Sequence, residues 1–217
     1  RTHAVFQLGS ERLEVNTNLL GAHNLQNIMV ALLVARHSGV SLAQSAKAVT
    51  QVSVPGRLER VRHSGFFVDY AHKPNAMTNV LTTLRGVLDQ AASEGRLGIV
   101  FGCGGDRDKT KRPIMGEIAA RLADFVIVTS DNPRTEDPQS IVDQILRGVH
   151  KNAKPYDGQK GFLVEVDRRK ALQKAVEITR PDDVVIVAGK GHEDYQILGT
   201  KKIHFDDVEE VSKCLSV

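Results

Sequence analysis

The sequence predicts an α/β fold with a doubly wound, mostly parallel sheet, and three observations on residues 55–217 carry that expectation. Short apolar runs alternate with longer amphipathic segments, the order produced when helices cross over the faces of a parallel sheet. Pro74, Pro113 and Pro138 each fall in the first turn of an expected helix, where proline is best tolerated. Polar, glycine-rich stretches follow the apolar runs, as expected where ligands bind beyond the carboxyl ends of the strands. The predicted arrangement is Rossmann-like.

Taken in order, residues 4–8 and 12–15 flank Gly9-Ser10-Glu11 and predict a short hairpin. Asn24 to Gly39 predicts a helix, because Leu25, Ile28, Leu32 and Ala35 recur on one face and Gly39 closes it. A second short helix spans Leu42 to Val49 and stops before Val54-Pro55-Gly56, where a domain boundary is expected. The predicted strands that follow are Phe66 to Asp69, Leu97 to Phe101, Phe125 to Thr129, Phe162 to Val166 and Val184 to Ala188. Helices are expected over Pro74 to Ala92, Arg112 to Leu122, Pro138 to His150, Arg168 to Thr179 and Val208 to Leu215.

Composition narrows the function class. With 217 residues and 41% hydrophobic side chains, the chain can bury one core of ordinary domain size and carry an appendage. The 29 basic and 26 acidic residues nearly cancel and are scattered, unlike a nucleic-acid or membrane-surface binder. No apolar run has the length of a membrane span, and no signal-peptide layout is present, so a soluble cytoplasmic protein is expected. Cys103 and Cys214 form neither a disulfide framework nor a metal spacing and are expected as small, buried or half-buried side chains. A start on Arg1 is expected of a sequence that begins inside a longer gene product.

The expected strand ends concentrate unusual chemistry. The first runs into Asp69-Tyr70-Ala71-His72-Lys73, the second into Gly102-Cys103-Gly104-Gly105-Asp106-Arg107-Asp108-Lys109. The third ends in Asp131-Asn132-Pro133-Arg134 and the fifth in Gly189-Lys190-Gly191-His192-Glu193-Asp194. The Gly102–Asp108 loop offers unobstructed backbone N–H groups to a zwitterionic or phosphorylated ligand; alternatively it is a tight turn with solvated charges. Arg134 can fork onto a carboxylate, or its segment is simply the turn before the Pro138 helix. Glu193 follows an apolar strand, where an acid can pair with a ligand ammonium. His192 has the chemistry of a base, but a lone loop histidine is more often structural, and Lys73 alone is more often a surface charge. Acids for an amine, with Arg107 and Arg134 for carboxylates, suit an amino-acid substrate.

Asp69-Tyr70-Ala71-His72, FGCGGDRDKTKRP (residues 101–113), DNPR (131–134) and GKGHEDY (189–195) resemble the Mur ligases of bacterial cell-wall synthesis. LGAHNLQN (20–27) looks like the family's segment near the end of its central ATPase domain, and GRLE (56–59) like the start of its C-terminal domain. The resemblance spans essentially the whole chain. It implies that residues 1–54 are the C-terminal remnant of the central ATP-binding domain and residues 55–217 the C-terminal amino-acid-binding domain.

In that family DNPR is associated with meso-diaminopimelate. Motif matching implies that Arg107, Asp131, Asn132, Pro133, Arg134, Gly189 and Glu193 would hold this amino acid, while Asn24, Asn27, Arg57, Asp69 and His72 would approach ATP. The implied reaction phosphorylates the D-glutamate carboxylate of UDP-MurNAc-L-Ala-D-Glu with ATP. The amine of diaminopimelate then attacks the acyl phosphate to give amide, ADP and phosphate, with Mg2+ stabilising the transferring phosphoryl group. No GxxxxGK[ST] loop occurs in the sequence, so the resemblance assigns no catalytic residue and no metal ligand to this chain, which is expected to have no ligase activity alone. The expected partners are the three small molecules, with no nucleic acid and no membrane, and the chain is expected to be monomeric. Alternatives are a relative adding lysine or another amino acid, or a non-catalytic scaffold retaining the fold.

Overall fold

The computed structural model describes residues 2–92 and 94–216. The chain divides between Val54 and Pro55 into two compact units. In the first, β1 (Thr2–Leu8) and β2 (Glu11–Thr17) pair antiparallel around Gly9, whose φ of 68° lies where an L side chain is strained. Helices α1 (Ala22–His37) and α2 (Leu42–Thr50) follow. Phe6, Val15, Leu19, Ile28, Leu32 and Val49 make this unit's core, with Leu25 packed against it. A reciprocal capping box between Ser41 and Gln44 fixes where α2 begins. Val30, Leu33 and Val34, on the outer side of α1, remain exposed.

The second unit is built on six strands. They are β3 (Glu59–Arg60), β4 (Phe66–Asp69), β5 (Leu97–Phe101), β6 (Phe125–Val128), β7 (Gly161–Val164) and β8 (Val184–Ala188), in the order β3-β4-β8-β5-β6-β7. Every pairing is parallel except that of the edge strand β3. Strands buried on both faces read as continuous apolar runs, and β5 (LGIVF) and β6 (FVIV) are buried throughout. Helices α3 (Pro74–Gln90), α4 (Lys111–Leu122) and α5 (Pro138–Val149) contact one another in sequence and also contact the sheet. Alternate residues Phe66, Val68, Val100, Phe125, Ile127, Val185 and Val187 pack instead with Ala171, Leu172 and Ala175 of α6 (Arg168–Ile178) and Val211 of α7 (Asp207–Cys214). The sheet is therefore a middle layer, and its carboxyl edge is left open between the helices.

The observed fold is the expected α/β class, with elements added and several bounds shifted by one or two residues, α1 to Ala22–His37, α3 to Pro74–Gln90 and β6 to Phe125–Val128 among them. The short edge strand β3 had no counterpart in the sequence reading. Nor did the hairpin of β9 (Tyr195–Leu198) and β10 (Lys201–His204), which turns at Gly199 with φ 61°. Strand β7 starts one residue earlier and stops two residues earlier than Phe162–Val166; Glu165 still donates its N–H to Val128 of β6, and the chain then turns toward Asp167, the cap of α6. Cys103 is buried, Cys214 is half-buried, and both are free.

Candidate functional site

The carboxyl ends of β4, β5, β6 and β8 converge on one cleft of about 400 Å3. Its lining includes Tyr70 and His72 after β4, Gly102, Gly104 and Arg107 after β5, Asp131, Asn132 and Arg134 after β6, and Gly189 and Glu193 after β8. Lys73, Cys103, Asp108, Lys111 at the start of α4 and Tyr195 at the start of β9 also line it.

One wall gathers negative charge around a buried cation. Lys190 is fully buried, and its Nζ lies 3.5 Å from Asp131 Oδ1, 3.3 Å from Asn132 Oδ1 and 3.7 Å from Glu193 Oε2. Burial pushes the Lys190 pKa below its ordinary value, and Asp131 partly offsets that shift. Asn132 is held at both ends: its Nδ2 donates to Glu193 Oε2 at 2.9 Å, and its Oδ1 also accepts the Ile197 N–H at 2.9 Å. Gln196 donates to the Asp131 carbonyl at 2.7 Å. The unanticipated strand β9 thus clamps the Asp131–Asn132 segment. Glu193 in turn raises the pKa of the nearby Tyr195 phenol.

A second group of lining residues is cationic. Arg134 and Arg107 flank Gly104, where a Cβ would stand 3.0 Å from Arg134 Nη1 and 3.6 Å from Arg107 Cγ. Arg134 adopts a left-handed φ of 52°, fixed by its own N–H on Ile197 O at 3.1 Å and its guanidinium on Gly105 O at 2.8 Å. Gly105 donates to Asn132 O at 2.9 Å, and a side chain at Gly105 would collide with the Pro133 carbonyl. Beneath both loops, fully buried Arg112 makes a bidentate pair with Glu136, 2.9 Å on each arm, and donates to Gly104 O at 3.0 Å. Arg112 holds the Glu136 carboxyl down at about 2. Burial lifts the Cys103 thiol to about 12, so it lies in the cleft as an un-ionised side chain.

At the third side, His72 Nδ1 lies 2.8 Å from the Tyr70 carbonyl. An acceptor there requires Nδ1–H, which leaves Nε2 of the neutral ring as an acceptor. Lys111 Nζ donates to the His72 carbonyl at 2.8 Å, tying α4 to this turn. A match to the Mur ligase, glutamate ligase domain model covers residues 56–191. This chain belongs to the Mur ligase family.

Among its curated relatives, the 2,6-diaminopimelate-adding UDP-N-acetylmuramoyl-L-alanyl-D-glutamate ligase of Thermosynechococcus vestitus is 47% identical over 96% of this chain. The enzyme of the same description from Rickettsia felis is 41% identical over 98% of it. A solved structure of a ligase with that description superposes with a TM-score of 0.67 at 37% identity, covering 99% of this chain and 42% of the other. A bifunctional folylpolyglutamate synthase/dihydrofolate synthase from Yersinia pestis, at 20% identity and TM-score 0.65, shares the fold. The chain spans about 40% of the length of the curated relatives it matches.

Within this Mur ligase chain the cleft brings together Arg107, Asp131, Asn132, Arg134, Gly189, Glu193 and His72 from the sequence-derived set. Pro133 is buried outside the lining and serves the Gly105 contact instead. Asp69 is buried, and its Oδ2 accepts the Leu58 N–H at 2.8 Å, bracing the segment before β3. Arg57 is exposed, with its guanidinium 5.0 Å over the Tyr70 ring. Asn24 and Asn27 belong to the first unit; Asn24 is buried and donates to Leu20 O at 2.8 Å, while Asn27 is exposed. His192 is exposed, 5.3 Å between ring centroids from Tyr70. Sequence reasoning passed over Lys190, Lys111, Tyr195 and the Arg112–Glu136 pair. Lys190 stands one glycine past the wholly apolar strand β8, a position that does not by itself separate a buried lysine from a surface one.

Proposed function

We propose that this chain is the C-terminal part of an ATP-dependent ligase joining meso-diaminopimelate to UDP-MurNAc-L-Ala-D-Glu in peptidoglycan synthesis. Residues 1–54 are read as the end of its ATP-binding domain and residues 55–217 as its amino-acid-binding domain. The observation that supports this most is the gathering, in one cleft, of Arg107 and Arg134 with Asp131, Asn132 and Glu193. An amino acid with a second carboxylate and a second amine offers matching charges to both. The curated relatives bear the name of the diaminopimelate-adding enzyme.

The chain's own contribution is positioning and electrostatics. The acidic wall takes a ligand ammonium, and the guanidinium wall fixes a carboxylate, so that the other amine is directed toward the acyl phosphate. His72 and Arg57 are assigned to the nucleotide side. ATP supplies the phosphoryl group that activates the D-glutamate carboxylate. Mg2+ belongs to the same reading of the full-length enzyme. Among the described residues no cluster of three His, Cys, Asp or Glu side chains could hold a metal ion, so none is assigned to it.

The test is amino-acid discrimination by the full-length ligase. Arg134→Ala is expected to lower kcat/KM for meso-diaminopimelate by roughly ten- to a hundredfold, the range of one charge-assisted hydrogen-bonding group. Equal use of lysine and diaminopimelate by the unaltered enzyme would remove the substrate assignment.

A further inference from the structure

Behind the acidic residues of the cleft, and not itself part of the lining, lies the buried cation Lys190. Lys190 is 0% exposed, and every acceptor near its ammonium belongs to the acidic wall. A buried ammonium is costly unless paired, so its presence there needs a compensating role. A second buried cation, Arg168, lies close by, but it forms its own bidentate pair with Asp207 at 2.8 and 2.7 Å and contributes little net charge. Lys190 therefore stands alone between two acids, each within 3.7 Å of one nitrogen.

We infer that Lys190 is a positioning residue that sets the charge of the amino-acid site, cancelling one of the two carboxylates so that the wall accepts a single ammonium. The inference rests on the amino-acid-binding reading of the cleft. Without Lys190, the Asp131 and Glu193 carboxylates would both lose the cation that lies within 3.7 Å of each, and the wall would carry one more uncompensated negative charge. Asn132 would also lose a donor to its Oδ1. Its amide could then turn away from Glu193, although the Ile197 N–H restrains that movement. The aromatic face of Tyr195, 5.6 Å from the ammonium, closes the remaining side. Lys190 thus acts on the ligand through Asp131, Asn132 and Glu193, and touches no reacting atom.

The experiment is a double-mutant cycle in the full-length ligase, with KM measured separately for the amino acid, ATP and the UDP-linked dipeptide. Lys190→Met is expected to raise KM for meso-diaminopimelate by roughly ten- to a hundredfold while leaving the other two KM values within about twofold. In an Asp131→Asn background, where the surplus carboxylate is already neutral, adding Lys190→Met is expected to raise that KM less than about threefold. Three KM values rising together, or the same loss in both backgrounds, would overturn the proposal in favour of a merely structural lysine. If Lys190→Met alone does not fold, comparing the double variant with Asp131→Asn decides the matter. Failure of the unaltered enzyme to use diaminopimelate would sink the substrate assignment instead. The same cycle is then run on the amino acid it does use.

Discussion

At the scale of single residues, the site separates groups that touch a ligand from groups that hold them. Arg107, Asn132, Arg134 and Glu193 could be picked out from sequence because their chemistry and motif spacing are local properties. Lys190 and Arg112 could not, since their roles depend on burial beneath other strands and loops. Glu136 provides a direct test of this supporting layer. Its folded pKa of about 2 lies below the ordinary 4.5, so its pairing with Arg112 contributes stability above about pH 4.5 and loses it as pH falls toward 2. The stability difference between the unaltered chain and Glu136→Gln is therefore expected to be constant above about pH 5 and to close on acidification, as read from denaturant midpoints. A difference that stays constant down to pH 2.5 would show that the ion pair contributes nothing.

At the scale of elements, the strands that proved easiest to read are those whose neighbours bury both faces. Phe66–Asp69, Leu97–Phe101 and Val184–Ala188 have the bounds expected from their apolar runs. Helices with proline in the first turn were equally plain, since Pro74 and Pro138 open α3 and α5. The β9–β10 hairpin escaped notice because β10 (KKIH) is exposed along its length and shows no apolar alternation. Strand order escaped as well: β8 inserts between β4 and β5, and no local pattern encodes a pairing made across more than a hundred residues of chain. Asp137 caps α5, accepting the Ser140 N–H at 2.8 Å just beyond the Arg134 segment. Asp137→Ala is expected to cost about 1 kcal/mol of stability, measured by equilibrium unfolding.

At the scale of the whole molecule, the division at Val54–Pro55 has a direct experimental counterpart. Residues 51–55 are exposed and lie outside every helix and strand. Brief proteolysis is expected to cut there first and to leave a fragment from about residue 55 that still unfolds cooperatively. Prior cleavage inside β4, β5 or β8 would contradict the division. The outward face of α1 bears on how the material behaves at the bench. Val30 and Val34 are each 60% exposed and Leu33 49%, beside a two-stranded β1–β2 ribbon. Colloidal behaviour then follows from one helix: light scattering by the 217-residue chain should climb with concentration and with sulfate. Val30→Lys with Val34→Glu should flatten that climb, leaving the shelf life of a stock solution set by a helix that contributes no residue to the cleft.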